Sequence, residues 1–294
     1  QPDEALYWRL KPNQECFTKI GRKAVRVNSL GTRGPECAAD KPANTIRILS
    51  LGDSRTFGWG LAEEETYSMR LGQLLQARLG TTQRAEVINA GVNAWSYPQM
   101  AVYFRERGLA LHPDIVILAD ANLWTQFSEK SSADFRRSFL RRVWLKNFLR
   151  RFALYHYVVE VKLRDYYEQH RAKFIPVDPK QDTLFKDAQQ ADPDALFRDA
   201  IEQLCRLAQT NKVKPVLLSL PMLGDLTSTN VAAPLRAKRT VSERLGVPLV
   251  DVLPQIQPKG SALYLDADPV HFNAEGNEII ARQLFDAVSP LASP

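Results

Sequence analysis

The chain has 294 residues, which is enough for one large α/β domain or two smaller ones. Its 45% hydrophobic and 24% charged residues are typical of a globular protein with a sizeable core, and no apolar run approaches the ~18 residues that would span a bilayer. The net charge of +6 mildly favours anionic partners such as membrane headgroups, acidic glycans or nucleic acid.

Residues 1–44 are predicted to form an irregular N-terminal extension, because they are rich in Gly, Pro, Asn and Thr. The chain begins with Gln1 rather than Met, so we expect that a signal or membrane anchor precedes it and that the protein is exported, periplasmic or membrane-associated. A disulfide between Cys16 and Cys37 would fit an exported protein. The alternative is that these two cysteines and Cys205 are unpaired thiols.

From residue 45 onward, short apolar runs alternate with helical patterns. The runs show little period-two alternation, which predicts strands buried on both faces. Predicted strands cover 46–51, 86–89, 114–119, 215–220 and 248–252, and predicted helices cover 66–79, 98–110, 193–210, 233–245 and 274–287. This order predicts a doubly wound parallel sheet of about five strands, with the active site at the carboxyl ends of the strands.

Residues 125–190 interrupt this alternation and are predicted to be a helical insertion between the third and fourth strands. Within it, residues 135–157 combine aromatic and apolar side chains near helical spacing with seven arginines and lysines. Such a basic helix could lie on an anionic membrane or a protein partner, cover the site as a lid, or simply pack on the domain. No recognised motif accompanies the charge, so we predict no nucleic-acid binding.

Three predicted strand ends carry groups suited to acyl chemistry. The first strand ends in Gly52-Asp53-Ser54, where the glycine permits a tight turn and Ser54 opens the following loop or helix. The second ends near Gly91, whose amide N–H would be unobstructed, and the third ends near Asn122, which offers a side-chain amide. The amides of Ser54 and Gly91 and the side chain of Asn122 therefore predict an oxyanion hole.

The general base is predicted near the C-terminus. Of the four histidines, His271 is the one that directly follows the last strand region. Asp268 lies three residues before it, so a turn at Pro269 would fold the carboxylate onto one imidazole nitrogen and leave the other facing Ser54. Asn273 can cap the helix that follows. Ser54, His271 and Asp268 are the candidate catalytic residues, and this mechanism needs no metal or organic cofactor.

These segments together resemble the SGNH/GDSL hydrolase superfamily over residues 46–290, apart from the insertion. SLGDSRTFG resembles the first block with Ser54, INAGVNAWS the second with Gly91, DIVILADANLW the third with Asn122, and DADPVHFNAEG the last with Asp268 and His271. The resemblance implies a flavodoxin-like three-layer α/β/α fold in a hydrolase domain spanning residues 45–294. It also implies a serine esterase, lipase or acyltransferase.

The third block departs from the family pattern, which usually has Gly-x-Asn-Asp. Here Asp120 replaces the glycine and Leu123 replaces the aspartate. A carboxylate beside the oxyanion hole could oppose the developing negative charge, or it could point away and orient a loop. If it harms catalysis, Asp120→Gly should raise turnover.

Four further residues near the motifs are candidate substrate contacts, together with Asp120. Trp59, Trp95 and Trp124 each closely follow a motif and could form an aromatic rim for a sugar face or an acyl chain, or could simply fill gaps beneath loops. Arg55, next to the nucleophile, could contact an anionic substrate or be salt-bridged.

The leading hypothesis is a serine-dependent ester hydrolase that acts on an O-acylated glycan or lipid of the cell envelope. One alternative is an O-acyltransferase of a surface glycan that uses the same triad. Another is a binding or assembly module that keeps the pocket without turnover. A metal phosphoesterase using Asp53, Asp266, Asp268 and His271 is a fourth hypothesis, but it lacks a second histidine near the site.

Overall fold

Two short hairpins occupy the N-terminal segment. The computed structural model describes residues 1–18, 22–123, 133–149, 151–155, 157–158, 162–163 and 193–292. Strands β1 (Pro2–Asp3) and β2 (Tyr7–Trp8) pair antiparallel, as do β3 (Gln14–Phe17) and β4 (Ala24–Val27). The prediction of an irregular extension over 1–44 is therefore wrong in part. Strands of two to four residues are too short to show a periodic pattern among turn-forming residues.

The three cysteines are free thiols in this structure. Cys16 is exposed, Cys37 is half-buried and Cys205 is buried. The proposed Cys16–Cys37 disulfide is therefore wrong, and the alternative of unpaired thiols describes the molecule. Burial raises the pKa of the Cys37 thiol to about 11 and that of Cys205 to about 12, so both are protonated near neutral pH.

A five-stranded sheet forms the centre of the domain, and all of its strand pairs are parallel. Counted from its first strand, the spatial order is 2-1-3-4-5, which is the flavodoxin-like order. The strands are β5 (Thr45–Leu51), β6 (Arg84–Asn89), β7 (Ile115–Leu118), β8 (Lys214–Ser219) and β9 (Leu249–Asp251), arranged β6-β5-β7-β8-β9. All five predicted strands exist, with bounds that differ by at most two residues.

Helices cover both faces of the sheet, as the doubly wound prediction requires. Among the described residues the α-helices are, in chain order, α1 (Ser54–Phe57), α2 (Tyr67–Leu79), α3 (Tyr97–Tyr103), α4 (Ala133–Leu149), α5 (Ala153–Tyr155), α6 (Pro193–Thr210), α7 (Ala233–Leu245), α8 (Leu253–Ile256) and α9 (Ala274–Val288). The predicted helix over 98–110 is divided, because α3 gives way to a π turn, Phe104–Gly108, and then a 3₁₀ turn.

The sheet separates two apolar cores, because successive strand residues point to opposite faces. In β5, Leu49 and Leu51 pack with residues of α3, α6 and α7, whereas Ile46 and Ile48 pack with residues of α2 and α9. Since both faces are buried, the strands have continuous apolar sequences rather than an alternating pattern. The result is a three-layer α/β/α architecture.

Helix α4 lies in the predicted insertion and packs on the N-terminal segment. Phe135 is buried, and the ring of Phe139 lies 5.6 Å from that of Tyr7 and 5.9 Å from that of Trp8. Most of the remaining predicted insertion lies outside the described residues. Within the parts of the chain that the structure describes, no helix is both long enough and apolar enough to cross a membrane.

Candidate active site

The turn after β5 presents Ser54 as the first residue of α1. Asp53 caps this helix, since its Oδ1 accepts a hydrogen bond of 2.9 Å from the amide of Arg55. Gly52 is required for the tight turn, because a Cβ at this position would lie 2.0 Å from Oγ1 of Thr56. The local sequence thus places a half-buried serine at the carboxyl end of a central strand.

His271 links Ser54 to Asp268. Nε2 of His271 lies 2.7 Å from Oγ of Ser54, and its Nδ1 lies 2.7 Å from Oδ2 of Asp268. The serine and the histidine are 217 residues apart in sequence, and the fold alone brings them together. A serine, a base and an orienting carboxylate at these distances form the hydrogen-bonded chain of a nucleophilic triad.

The carboxylate of Asp268 is fixed by the turn that the sequence predicted. Its Oδ1 accepts hydrogen bonds from the amides of Val270, at 2.9 Å, and His271, at 3.1 Å. Partial burial raises the pKa of Asp268, but the hydrogen bonds from the imidazole and from these two amides outweigh it and lower the pKa below its ordinary value. The side chain is therefore an ionised acceptor that holds a proton on Nδ1 of His271. Asn273 caps α9 by accepting from the amide of Gly276, as predicted.

Two candidate oxyanion donors follow the carboxyl ends of the neighbouring strands β5 and β7. The Ser54 amide belongs to the first turn of α1, where backbone N–H groups lack intrahelical acceptors. The backbone of Asn122 is held on both sides, because its carbonyl accepts from the amide of Tyr97 at 3.0 Å and its amide donates to Trp95 at 3.3 Å. Among the described residues, neither the Ser54 amide nor the Asn122 side chain has a hydrogen-bond partner, so both are available to a ligand.

Gly91 does not offer the unobstructed amide that the sequence predicted. Its N–H donates to Oδ1 of Asn89 at 3.0 Å, while Nδ2 of Asn89 donates to the carbonyl of Thr56 at 2.8 Å. A Cβ on Gly91 would lie 2.3 Å from the amide nitrogen of Phe57. The glycine is therefore needed for the close packing of the β6 end on α1, and its oxyanion role is corrected to this structural one.

Asp120 is held in a buried ion pair just after β7. Its Oδ1 lies 2.6 Å from Nζ of Lys238 and its Oδ2 accepts from the amide of Leu220 at 2.6 Å. Lys238 is fully buried in α7 and also donates to the carbonyl of Leu218. Burial raises the pKa of Asp120, but the charges of Lys238 and Arg55 outweigh this effect and lower it. The carboxylate thus joins the ends of β7 and β8, and Asp120 also lines the cavity at the carboxyl ends of β7, β8 and β9 that is described below.

Arg55 is likewise occupied within the protein. Its guanidinium contacts both carboxylate oxygens of Asp53, at 3.2 and 2.9 Å, and donates to the carbonyl of Leu220 at 2.9 Å. Burial lowers the pKa of Arg55, but the charges of Asp53 and Asp120 outweigh this and raise it. The salt-bridged alternative therefore describes Arg55, which also lines the cavity at the carboxyl ends of β7, β8 and β9.

The three tryptophans have different positions. The ring of Trp59 lies 6.1 Å from the imidazole of His271 and is half-buried, so it forms a wall beside the triad. Trp95 is fully buried and its Nε1 donates to the carbonyl of Trp8, which makes the rim prediction wrong at this position. Trp124 lies outside the described residues.

A cavity of about 270 Å³ opens beside the site at the carboxyl ends of β7, β8 and β9. Arg55, next to the nucleophile, and Asn122 line it, whereas Ser54 and His271 do not. Its walls are mainly apolar and include Leu123, Phe197, Leu220, Met222, Val231 and Leu253. A cavity of this character can bury a hydrocarbon group next to a polar reacting centre.

Two supporting residues were missed by sequence reasoning. Arg33 is buried, and its guanidinium donates to the carbonyls of Phe57, Gly58 and Leu61, each at 2.6 Å. It therefore satisfies the C-terminal carbonyls of the nucleophile helix from the N-terminal segment. Asn89 supports the other side of α1 as described above. Arg33 lies in a Gly- and Pro-rich stretch, where no spacing signal separates it from a loop arginine.

The ligand set of the alternative metal phosphoesterase does not assemble. Asp53 is paired with Arg55, and Asp266 is exposed rather than part of the triad turn. Across the described residues, no three or more His, Cys, Asp or Glu side chains are grouped so that they could hold a metal ion.

Structure comparison gives matches where sequence comparison gives none. No protein-family model matches the chain, and no curated protein matches it significantly. LAE5, an α/β hydrolase enzyme from the metagenome of Lake Arreo, Spain, matches with a TM-score of 0.52 and 17% identity, covering 84% of this chain and 97% of that chain. TesA matches with a TM-score of 0.51 and 14% identity, covering 83% and 99%.

The acetyl xylan esterase AlAXEase also matches, with a TM-score of 0.50 and 17% identity, covering 83% of this chain and 100% of that chain. Sequence identities this low indicate that the proteins share an architecture and show no closer relationship. The chain therefore shares the three-layer α/β/α architecture of these three structures, as its sequence predicted.

Proposed function

We propose that this protein is a serine-dependent carboxylic ester hydrolase of the SGNH/GDSL type. The observation that carries the proposal is the hydrogen-bonded chain Ser54–His271–Asp268, with 2.7 Å at both links. These three residues lie at the carboxyl edge of the doubly wound sheet, which is where proteins with such folds have their active sites.

In the proposed reaction, Oγ of Ser54 attacks the ester carbonyl while Nε2 of His271 takes its proton. Asp268 keeps the proton on Nδ1 and stabilises the imidazolium that forms. The tetrahedral intermediate collapses when Nε2 returns the proton to the leaving alcohol, which leaves an acyl-serine. Water then attacks the acyl carbonyl while His271 again acts as the base. The carboxylic acid is released and the free Ser54 is regenerated.

The oxyanion is proposed to bind to the Ser54 amide and to the side-chain amide of Asn122. The Ser54 amide is held in place by α1, which Asp53 caps, and the Asn122 side chain extends from a backbone that two hydrogen bonds hold. Such preorganised donors stabilise developing charge without reorganisation during the reaction. With Asp120 neutralised by Lys238, no free carboxylate at that position opposes the oxyanion.

The substrate is proposed to be an O-acylated glycan or lipid of the cell envelope. Trp59 beside His271 offers an aromatic face of the kind that stacks on sugars or packs on acyl chains. The apolar cavity that begins at Asn122 offers a place for the acyl group. One of the matching structures is an acetyl xylan esterase, and the same class of ester is proposed here.

Intact-mass analysis with a fluorophosphonate probe tests the nucleophile. Ser54 Oγ should displace fluoride and form one phosphonyl adduct, which the Ser54→Ala variant loses. A folded protein that gives no adduct would contradict the proposal and favour a binding module.

Ester turnover is then measured with p-nitrophenyl esters of increasing acyl length and with acetylated oligosaccharides. Addition of an acceptor glycan separates hydrolysis from acyl transfer, which would use the same triad. Free acid as the product at all acceptor concentrations supports the hydrolase, whereas an acylated acceptor would favour the transferase.

A further inference from the structure

The positive charge of the chain is concentrated in one segment. Residues 133–155 contain seven arginines and lysines and one acidic residue, a net charge of +6, which equals the net charge of the whole chain. The remaining residues are therefore balanced. This segment comprises α4 and α5, and its charge is separate from the triad chemistry.

Helix α4 is attached to the domain by one face near its N-terminus. Phe135 is buried and Phe139 contacts the rings of Tyr7 and Trp8. Arg136 donates to the carbonyl of Glu4 at 3.1 Å. These contacts fix the orientation of the helix and thereby determine which of its side chains face away from the domain.

The opposite face of α4 is both basic and aromatic. Residues spaced three, four and seven apart share one face of a helix, and Arg137, Arg141, Trp144 and Phe148 have this spacing. All four are exposed, with Trp144 at 62% and Phe148 at 41%. We call this set, together with the exposed Leu145, the outer face of α4.

Exposed apolar side chains are concentrated in and just after this helix. Of the eleven large hydrophobic side chains that are exposed among the described residues, eight lie between 144 and 163: Trp144, Leu145, Phe148, Phe152, Leu154, Tyr157, Val158 and Leu163. A globular protein rarely exposes so much apolar surface in one place without a partner that covers it.

The rings of this surface are arranged for insertion rather than for stacking on bases. Trp144 and Phe148 are stacked on each other with centroids 5.7 Å apart, and Phe148 meets Phe152 edge-on at 5.5 Å. Because these rings pack against one another, their faces are partly covered. Proteins that bind single-stranded nucleic acid instead present open aromatic faces on which bases stack. Interfacial aromatic rings beside arginines suit the headgroup region of a bilayer, where the ring inserts and the cation meets phosphate.

We propose that the outer face of α4 and the exposed side chains that follow it bind the surface of an anionic lipid bilayer. The arginines contact lipid phosphates, and Trp144, Phe148 and Phe152 lie at the level of the headgroups. This binding is independent of the reaction proposed at Ser54, so either can fail while the other stands.

Vesicle co-sedimentation of the full chain tests this proposal. Vesicles of phosphatidylcholine with 30% phosphatidylglycerol are compared with phosphatidylcholine alone at 0.1 M and 0.5 M salt. We expect at least tenfold tighter binding to the anionic vesicles at 0.1 M and a marked loss at 0.5 M, where screening shortens the reach of charges.

Two double variants separate the contributions of charge and of aromatic rings. Arg137→Glu/Arg141→Glu and Trp144→Ser/Phe148→Ser should each weaken binding at least tenfold. The matched controls are Arg78→Glu/Lys212→Glu, which reverses two exposed cations elsewhere, and Phe17→Ser, which removes an exposed ring elsewhere. The controls should bind like the unchanged chain, and circular dichroism establishes that all variants are folded.

Three results would overturn the proposal. The first is no difference between anionic and neutral vesicles, and the second is an equal loss in the control variants. The third is vesicle binding that depends on the arginines but not on the rings and that single-stranded DNA inhibits by competition. That result would identify the surface as a general binding site for polyanions.

Discussion

Cationic side chains occur in two contrasting environments in this protein. At the carboxyl edge of the sheet, Lys238 and Arg55 are buried, and each is bound to a carboxylate, Asp120 or Asp53. On the outer face of α4, Arg137 and Arg141 are exposed to solvent. A buried charge must be paired to be tolerated, so its removal is costly, whereas an exposed charge contributes little to stability and is available to a partner. The same chemistry thus serves architecture in one region and is proposed to serve recognition in the other.

The largest effect is expected from the paired carboxylate of the triad. Asp268→Asn should lower kcat/KM for an ester by about 10⁴-fold, because it removes the charge that stabilises the imidazolium and holds the proton on Nδ1 of His271. Asp266→Asn is the matched control, since Asp266 is an exposed aspartate two residues away. Its kcat/KM should stay within about twofold of the unchanged chain. Equal losses in both variants would contradict the triad and favour the set of carboxylates that a metal site would use.

The next largest effect is expected where a buried pair is broken. Lys238→Met should lower the free energy of unfolding by about 3–5 kcal/mol, because Asp120 would remain buried without its counter-charge. Arg141→Met on α4 should change the free energy of unfolding by less than about 0.5 kcal/mol. Urea denaturation of both variants measures the contrast. Similar decreases in the free energy of unfolding for the two variants would contradict the expectation that the buried, paired cation contributes more to stability than the exposed one.

A double-mutant cycle at the same pair sharpens this comparison. Asp120→Gly restores the residue that the family pattern favours, and it should destabilise the chain and fail to raise turnover, because it leaves the ammonium of Lys238 buried without a carboxylate. Adding Lys238→Met should recover part of the stability, with a coupling free energy of about 2 kcal/mol or more between the two sites. Additive losses, or a single variant that is faster than the unchanged chain, would revive the view that Asp120 opposes the oxyanion.

The contrast between these regions also explains what the sequence could predict. The apolar runs predicted a doubly wound parallel sheet, and Gly52-Asp53-Ser54 with the turn at Asp268 predicted the triad, because backbone periodicity and strand-end chemistry are local signals. The pairing of Asp120 with Lys238 joins residues 118 positions apart, and no local pattern indicates it. The occupied amide of Gly91 was missed for a different reason. Its acceptor, Asn89, is only two residues away, but the other hydrogen bond of the Asn89 side chain is made to Thr56, which is 33 residues away in sequence.

The smallest effect is expected from the pH dependence of the half-buried Asp268. Its pKa is lower in the folded protein than the ordinary 3.8, so the folded state favours the charged form. The stabilisation that the charged carboxylate contributes is therefore complete above its ordinary pKa. It is lost as the pH falls through the lower pKa of the folded protein. The free energy of unfolding of the unchanged chain should exceed that of Asp268→Asn by at most about 1 kcal/mol from pH 5 to 7, and this difference should shrink below about pH 4. Asp266→Asn, at an exposed position two residues away, is the matched control. A constant difference for Asp268→Asn down to pH 3 would mean that the hydrogen bonds in this turn do not depend on the charge of the carboxylate.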